Sequence, residues 1–465
     1  MGSHLDDGSA AGSDRVFPLT SLGRRLADLG AREVLVKRLA PNDNSKNQIY
    51  LAGDVSALGK IPSGEVETVS GTSAKQGRGK RGPIFRAKMD LQWLMPSGEL
   101  VRAPHAKLIM YPQYSEVRLS GFLRSCPAAP SGLFDIGRHG RAPGRVLVLA
   151  PLEDGRTVAV AFPPESEEAR ALRTHDGEPY GVLHRFELRG TQGSSSQSLL
   201  ISRLRHIHLA GWLDPVYLEA DGSFSPCTGT NCGGVTLESH LGIRANGKSE
   251  PDFHGWEVKQ HGVFSIARPR VSRITLMTPE PSGGFYVDQG AELFVRKWGY
   301  PDRTGRQDRL NFGGVYRSGA QPHGLTGLRL MLRGYDADSG VIDASGGVQL
   351  LDSTDEVAAE WSFSKLMDHW RKKHAQAAYV PSQIQRKPDI RYRYGKDVLL
   401  AEGAKFKLLL RAFADGVVYY DPGMKIEQAG SKRPQLKRRS QFRVDSRRIS
   451  GLYEKTRLVD VTEGA

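Results

Sequence analysis

The run EPDFHGWEVKQ, at positions 250–260, is the stretch of sequence that decides the fold. Its last five residues, 256–260, predict a short β-strand, in which alternate side chains lie on one face. Glu257 and Lys259 then point the same way, and Asp252 precedes them across a short turn. Two carboxylates and one ammonium group are therefore predicted to converge on one spot.

These groups suit phosphate chemistry. Carboxylate oxygens suit Mg²⁺, which proteins hold through one or two acidic groups together with a substrate phosphate. Lys259 is placed to hold an attacking water or to steady charge on the phosphate. The alternative is a surface turn followed by an amphipathic strand with a Glu/Lys face, since charge runs are usually solvated.

Two neighbouring segments add context to this core. Upstream, GGVTLESHLGI at 233–243 predicts the start of a helix with Glu238 facing inward; the alternative is an exposed helix carboxylate. Downstream, ITLMTPEP at 274–281 predicts the next strand, ended by proline.

Taken together, these segments resemble the MvaI/BcnI family of type II restriction endonucleases, a branch of the PD-(D/E)xK nucleases. The resemblance spans roughly residues 200–460 and continues through GYD at 334–336, through 361–381, and from YDP to RSQFR across 420–443. The run TGTNCGG at 228–234 departs from the Gly-Asn-Thr-Gly type of sequence that the family usually has before its T-L-E.

The resemblance implies an α/β restriction-endonuclease-like domain and a Mg²⁺-dependent deoxyribonuclease in which Mn²⁺ substitutes. It implies that Asp252, Glu257 and the Val258 carbonyl hold the metal, and that Lys259 positions or helps to deprotonate water. Glu238 supports the metal directly or through water. The expected products carry 5′-phosphate and 3′-hydroxyl ends.

The chain is long for one hydrophobic core, which favours two domains. Residues 1–14 look like an expression scar and a flexible start, and 15–190 predict a mostly β, barrel-like domain. A Gly/Ser-rich linker is expected at 191–198, followed by the nuclease domain at 199–465. VKRLAPND at 36–43 resembles the opening of the B3-like effector-binding domain of EcoRII, a domain that precedes the nuclease in UbaLAI-type enzymes.

The formal net charge of +14 and the pI of about 9.6 favour a polyanionic partner, here double-stranded DNA. Most cations should contact phosphates, whereas Arg and Gln can also read base edges. The candidate DNA-binding residues are Lys80 and Arg81 in a Gly-rich loop, Tyr111, Gln113 and Arg118 in a compact segment, and Lys437, Arg438, Arg439, Gln441 and Arg443 in the C-terminal basic run. The alternatives are solvated basic loops and, for Tyr111, a place in the core.

Residues 358–378 predict the clearest helix of the chain. Its apolar stripe, which includes Trp370 and His374, is interpreted as packing rather than as a site. Lys372 and Lys373 are candidates for contact with the DNA backbone.

The number of cysteines and the hydropathy of the chain predict the cellular compartment of the protein. Three cysteines, Cys126, Cys227 and Cys232, favour a reducing cytoplasm, and they are expected to be ordinary loop cysteines rather than zinc ligands with His206 or His208. The absence of a run of about 18 apolar residues predicts no membrane-spanning helix.

The function predicted from the sequence is a Mg²⁺-dependent, site-specific DNA endonuclease of restriction or anti-phage defence, with a cognate methyltransferase as an expected partner. The N-terminal domain would bind a second copy of the target and switch on cleavage, or recognise modified or foreign DNA. The alternatives are a modification- or lesion-dependent nuclease and a non-catalytic DNA-binding defence scaffold.

Overall fold

The computed structural model describes residues 16–41, 47–54, 59–70, 82–112, 116–135, 137, 142–188, 196–244, 252–267 and 271–463. The chain divides into two compact units, Met1–Gly193 and Ser194–Ala465. The sequence predicts a linker at 191–198, whereas the first helix of the second unit begins at Ser196. The end of the serine run therefore forms the first helical turn.

The first unit consists mainly of strands. Its described helices and strands are α1 (Thr20–Asp28), β1 (Glu33–Arg38), β2 (Ile49–Ala52), β3 (Glu67–Val69), β4 (Ile84–Lys88), β5 (Leu91–Leu94), β6 (Leu100–Ala103), β7 (Lys107–Tyr111), β8 (Glu116–Ser120), β9 (Val146–Pro151), β10 (Thr157–Phe162), α2 (Glu167–Thr174), β11 (Glu178–Tyr180) and β12 (Leu183–Glu187). A short 3-10 helix spans Ser131–Leu133.

These strands form two sheets, ordered β11-β12-β1-β9-β10-β5-β6 and β2-β8-β7-β4-β3. Neighbouring strands run antiparallel except β10 and β5, which run parallel. Both sheets are open paths within the described part of the unit, and neither closes into the barrel that the sequence predicts.

The core of the first unit lies between its larger sheet and its two helices. Val34 and Val36 of β1 and Val148 of β9 are fully buried, and they share a cluster with Leu26 of α1 and Leu172 of α2. β-Branched side chains on alternate strand positions fill such an interface well. Burial of this apolar area stabilises the unit by roughly 25 cal/mol per Å².

The second unit mixes helices and strands. Its elements are α3 (Ser196–Leu209), β13 (Val216–Leu218), β14 (Phe224–Pro226), α4 (Cys232–His240), β15 (Glu257–Gly262), β16 (Arg273–Met277), α5 (Phe285–Asp288), α6 (Ala291–Trp298), β17 (Tyr300–Pro301), β18 (Arg309–Gly313), β19 (Arg329–Tyr335), β20 (Ile342–Leu351), β21 (Val357–Ser362), α7 (Phe363–His374), β22 (Gln376–Gln385), β23 (Arg391–Tyr394), β24 (Asp397–Glu402), α8 (Phe406–Ala414), β25 (Tyr419–Tyr420), β26 (Gly423–Glu427), β27 (Gln435–Lys437), β28 (Phe442–Asp445) and β29 (Lys455–Asp460). Among the described helices, none is long and apolar enough to cross a membrane.

The central sheet of this unit has the order β15-β22-β24-β29, with β23 also paired to β22. Strands β15 and β22 run parallel, with Glu257 opposite Ala377 and Lys259 opposite Tyr379. Helix α7 ends two residues before β22 begins. The carboxyl end of α7 therefore lies beside the start of β15.

A buried cluster fixes the position of β15. Trp256 and Val258 pack with Leu204 of α3, Leu237 of α4 and Val380 of β22. Because strand side chains alternate, the burial of Val258 turns Glu257 and Lys259 toward the opposite face of the sheet. The apolar core thus sets the direction in which the candidate site faces.

The long helix predicted at 358–378 is wrong at both ends. The structure has the end of β21, then α7 from Phe363 to His374, then the start of β22. The Ser362 hydroxyl caps α7 by accepting a hydrogen bond from the Lys365 amide at 3.3 Å. The packing role predicted for Trp370 is confirmed, since its side chain is fully buried.

Cys227 and Cys232 are joined by a disulfide, and Cys126 is a buried free thiol. The sequence predicts ordinary loop cysteines in a reducing environment, and the disulfide departs from that expectation at Cys227 and Cys232. A zinc site on this pair is excluded as well, because both sulfurs are already bonded to each other. The bridge closes the loop that leads into α4.

Candidate active site

A tight turn places Asp252 against the start of β15. Phe253 and Trp256 exchange backbone hydrogen bonds of 2.9 and 2.8 Å, and the two residues between them, His254 and Gly255, have φ of 45° and 89°. Two successive positive φ values define the type of two-residue hairpin turn that favours Gly at its second position. The Asp252 carboxylate then accepts a hydrogen bond from the Val258 amide at 3.1 Å.

The strand brings Glu257 and Lys259 together, as its periodicity predicts. The Lys259 Nζ donates a hydrogen bond to Oε1 of Glu257. The Glu257 side chain is only 1% exposed, whereas that of Lys259 is 21% exposed. The carboxylate thus lies at the floor of the site, with the ammonium group nearer to solvent.

Helix α4 supplies Glu238, which is half-buried. Burial raises the pKa of Glu238 to about 7, and the negative charges of Asp252 and Glu257 act in the same direction. Lys259 partly opposes this shift. These interactions place Glu238 within the same electrostatic cluster as the strand residues, which agrees with the inward direction predicted from the sequence.

The other two carboxylates respond differently to this environment. Burial raises the pKa of Asp252 to about 6, repulsion by Glu257 adds to it, and Lys259 opposes it. Burial alone would also raise the pKa of Glu257, but the charges of Lys259 and Lys373 hold that pKa below its ordinary value. Glu257 is therefore ionised at neutral pH, while Asp252 and Glu238 lack enough positive charge nearby.

Lys373 is a member of this cluster that the sequence did not assign to it. Its Nζ lies 3.5 Å from Oε1 of Glu257, the oxygen that Lys259 also contacts. Both Lys372 and Lys373 were predicted to contact the DNA backbone, because the sequence does not show which of two adjacent helical residues lies nearer to β15. Lys372 instead pairs with Asp368 at 2.7 Å.

A buried chain of hydrogen bonds lies behind Glu257. The Nε2 of His374 lies 3.0 Å from the Leu276 carbonyl oxygen, which can only accept, so this nitrogen carries the proton. The Tyr453 hydroxyl then donates to Nδ1 at 2.8 Å and accepts from Tyr379 at 2.6 Å. Burial lowers the pKa of His374 to about 3, so the ring is neutral and serves to hold the end of α7 in place.

The residues of the cluster fit a divalent cation. Among the described residues, no group donates a hydrogen bond to the buried Oε2 of Glu257. Burial is the main cause of the raised pKa values of Asp252 and Glu238, and the charge of a bound cation would oppose both shifts. The described residues contain no group of three or more His, Cys, Asp or Glu side chains placed to hold a metal ion. Carboxylate oxygens of the kind that Asp252 and Glu257 carry are the donors that suit Mg²⁺.

The C-terminal residues predicted to contact DNA fall into two groups. Lys437, Arg438 and Arg439 are exposed. Gln441 is buried, and its Oε1 accepts a hydrogen bond from Arg443 at 3.3 Å. Arg443 also pairs with a nearby aspartate at 2.9 Å. The first three are accessible to a ligand, whereas Gln441 and Arg443 are engaged within the protein, and contact with DNA stays a prediction for all five.

In the first unit, Tyr111 and Arg118 lie side by side on β7 and β8. The Arg118 guanidinium is 5.6 Å from the Tyr111 ring centroid and donates to Glu116 at 2.6 Å. The side chain of Gln48 bridges the two, with contacts of 3.3 Å to each. The other residues predicted there lie outside the described residues: Lys80, Arg81 and Gln113.

The second unit, with its mixed sheet and its carboxylate–lysine cluster on β15, has the restriction endonuclease fold. Residues 201–453, more than half of the chain, match the model of the MvaI/BcnI restriction endonuclease family. The chain therefore belongs to the MvaI/BcnI restriction endonuclease family, whose members are type II, site-specific, DNA-cleaving hydrolases. Restriction endonucleases of this kind generally use divalent metal ions.

Two solved structures of restriction endonuclease MvaI are similar to part of the chain. The complex of MvaI with cognate DNA matches at 17% identity and a TM-score of 0.44, covering 57% of this chain and 99% of that one. MvaI without DNA matches at 17% identity and a TM-score of 0.32, covering 58% and 99%. None of the curated proteins compared with the chain matches it.

Proposed function

We propose that this chain is a Mg²⁺-dependent endonuclease that cuts double-stranded DNA at a specific sequence, in restriction or anti-phage defence. The observation that carries the proposal is the convergence of Asp252, Glu257 and Lys259 on one strand and its preceding turn, with Glu238 in the same electrostatic cluster. The membership of a restriction endonuclease family gives this cluster its substrate.

Asp252 and Glu257, with the Val258 carbonyl oxygen, would hold the metal ion. When bound, such an ion polarises the phosphodiester and lowers the pKa of a coordinated water. Mn²⁺ offers the same charge and accepts the same oxygen donors, so we expect it to substitute. Glu238 would support the metal directly or through an intervening water.

Lys259 would orient the attacking water. Its Nζ is bonded to Glu257 and is still partly exposed, so it can reach a water on the open side of the carboxylate. A fixed ammonium group at this point favours the hydroxide form of water and stabilises charge that develops on phosphorus-bound oxygens. Attack in line with the leaving 3′-oxygen yields 5′-phosphate and 3′-hydroxyl ends.

The first unit would bind DNA and regulate or target cleavage. Positive charge is shared between the units, since residues 1–193 contain 26 Lys and Arg against 21 Asp and Glu, and residues 194–465 contain 39 against 30. The half-buried pair Tyr111 and Arg118 offers an aromatic ring for stacking and a guanidinium group. A strict need for two target sites on one DNA would support an effector role, and cleavage of modified DNA alone would support recognition of modification.

Exposed cations of the C-terminal segment would contact the duplex on which the nuclease acts. Lys437, Arg438 and Arg439 are placed for this role by their exposure. We expect substitution of each to weaken binding by a similar factor for all sequences if it contacts phosphate, and to relax specificity if it reads a base. A cognate methyltransferase and a cytoplasmic location complete the proposal.

The decisive experiment is digestion of unmodified plasmid and modified phage DNA with Mg²⁺ by wild type and by Asp252→Ala. Discrete fragments are expected from the wild type and none from the variant, and sequencing of the fragment ends gives the target. Asp288→Ala, at an exposed aspartate of the same unit, is the matched control and should cleave normally. Equal cleavage by Asp252→Ala would overturn the site, and no cleavage of any substrate by wild type would favour a non-catalytic DNA-binding scaffold.

A further inference from the structure

Lys373 and Lys259 reach the same carboxylate oxygen from different elements. Lys259 comes from β15 and Lys373 from the last turn of α7, and both ammonium groups lie at Oε1 of Glu257, the second at 3.5 Å. The Lys373 side chain is 24% exposed, so its Nζ is neither free in solvent nor sealed in the core. The position is that of a cation held at the edge of the site.

The backbone that carries Lys373 is firmly held. The next residue, His374, is fully buried, and both of its ring nitrogens are hydrogen-bonded, to Tyr453 and to the Leu276 carbonyl. Its ring also stacks on Trp370 with centroids 4.2 Å apart. Precise placement of a long side chain requires an anchored backbone of this kind.

The charge balance of the cluster explains why a second lysine is useful. Counted in their ionised forms, the three carboxylates Glu238, Asp252 and Glu257 exceed the two ammonium groups of Lys259 and Lys373 by one negative charge. A divalent cation would reverse that sign and leave one positive charge, which matches the single negative charge of a phosphodiester. Without Lys373 the loaded site would be neutral and would attract the phosphate less strongly.

We propose that Lys373 is a second active-site lysine, which binds a non-bridging oxygen of the phosphate at the point of cleavage. This inference rests on the proposed nuclease function. Lys259 is left to orient water, while Lys373 stabilises the charge that grows on the phosphate in the transition state. In a site with a single lysine, one ammonium group has to orient the water and stabilise the phosphate. Here each of these two tasks has its own lysine.

The neighbouring Lys372 provides a matched control. It lies on the same helical turn and is 28% exposed, but its Nζ is paired with Asp368 at 2.7 Å, four residues earlier. Lys372 and Lys373 thus share residue type, helix and exposure, and differ in whether they reach Glu257.

The test measures single-turnover cleavage of a duplex carrying the target by wild type, Lys373→Gln, Lys373→Arg and Lys372→Gln. Loss of one contact made in the transition state should slow Lys373→Gln about 100-fold. Lys373→Arg, which keeps the charge, should recover part of the rate. Lys372→Gln should change the rate by less than about fivefold, because its ammonium group is held by Asp368 and does not contact Glu257. Circular dichroism and thermal unfolding establish that each variant is folded.

A second readout does not depend on cleavage. Binding is measured without metal on duplexes whose phosphate at the cleavage point is replaced by an uncharged methylphosphonate. This replacement should weaken binding by wild type and by Lys372→Gln more than binding by Lys373→Gln, which has already lost the contact. A Lys373→Gln variant that keeps the wild-type rate, or that keeps the sensitivity to methylphosphonate, overturns the proposal.

Failure of the proposed function would be recognised separately. If wild type cleaves no DNA, metal-free binding to an unmodified duplex still decides the role of Lys373. Weaker binding by Lys373→Gln than by Lys372→Gln supports a phosphate contact, and equal binding by the two variants overturns it.

Discussion

Each unit contains a cluster of partly buried charged side chains. The two clusters differ in how their cations are distributed among the carboxylates. In the first unit, Glu33 accepts contacts from Lys60 at 3.0 Å and from Arg185, which also pairs with Glu178 at 2.6 Å. Burial alone would raise the pKa of Glu33, but Lys60 and Arg185 hold it below its ordinary value. Arg185 also lies 3.6 Å from Glu187, but Glu178 and Glu187 are 45% and 43% exposed, so the least exposed carboxylate, Glu33, has two cations of its own.

In the second unit, three carboxylates share two lysines, and the pKa values of Glu238 and Asp252 are raised to about 7 and about 6. A buried carboxylate that is paired with its own cations, as Glu33 is, contributes to stability. Buried carboxylates without a cation of their own, such as Asp252 and Glu238, can bind an external cation, but they lower the free energy of unfolding while that cation is absent. What distinguishes the candidate active site from a structural ion-pair network is therefore the distribution of cations: both lysines contact Glu257, and the pKa values of Asp252 and Glu238 stay raised.

The largest expected effect comes from Asp252→Asn. This change removes a metal ligand but keeps a side-chain oxygen that can accept the Val258 amide, so the turn should persist. Cleavage should fall at least about a thousandfold, because the variant loses charge stabilisation at the reacting phosphate. The melting temperature without metal should stay equal or rise, since one of the repelling carboxylates is gone.

Single-turnover cleavage and thermal unfolding on the same preparations check both parts of this prediction. Asp288→Asn, at an exposed position, serves as the control and should change neither quantity. A marked loss of stability in Asp252→Asn would mean that the carboxylate is a structural group like Glu33, and the comparison between the two clusters would fail.

Glu33→Gln should have a smaller effect, and of the opposite kind. The change leaves Lys60 and Arg185 with too little negative charge in a site where their side chains are only 20% and 18% exposed. Breaking such a partly buried pair should lower the free energy of unfolding of the first unit by about 2 kcal/mol. Glu153→Gln removes an exposed partner of Arg32 and should cost less than about 0.5 kcal/mol.

Hydrogen exchange of peptides that cover β1 measures this change locally within the intact chain. Faster exchange in Glu33→Gln than in Glu153→Gln is expected. Equal protection in the two variants would show that the buried cluster contributes no more than a surface pair.

The parts of the site that depend on local sequence were predictable. The placement of Glu257 and Lys259 on one face follows from strand periodicity. The position of Asp252 beside them follows from the turn that precedes the strand. Lys373 was not separable from Lys372, because its position depends on the parallel pairing of β15 with β22, a contact between residues more than a hundred positions apart. Side-chain spacing carries no information on such pairings.

Errors in the fold have similar causes. The predicted helix at 358–378 joined two strand ends to α7, because Val357–Ser362 and Gln376–Gln385 carry apolar residues that fit a helical pattern as well as a buried strand. The Cys227–Cys232 disulfide was missed because the number and spacing of cysteines do not determine pairing. In both cases a tertiary contact decided between local alternatives.

The smallest expected effect is the pH dependence that Glu33 contributes. Its pKa in the folded chain lies below its ordinary value, so at acid pH the unfolded chain binds a proton that the folded chain does not. The stabilisation by Glu33 is therefore complete above the unfolded pKa, about 4.3, and is lost as the pH falls through the folded pKa. Protection of β1 should then decline more steeply between pH 6 and pH 3 (roughly the range of carboxylate titration) in wild type than in Glu33→Gln. Parallel declines would show that Lys60 and Arg185 do not stabilise the ionised carboxylate of Glu33. The contrast between Glu33 and the carboxylates of the candidate active site would then fail.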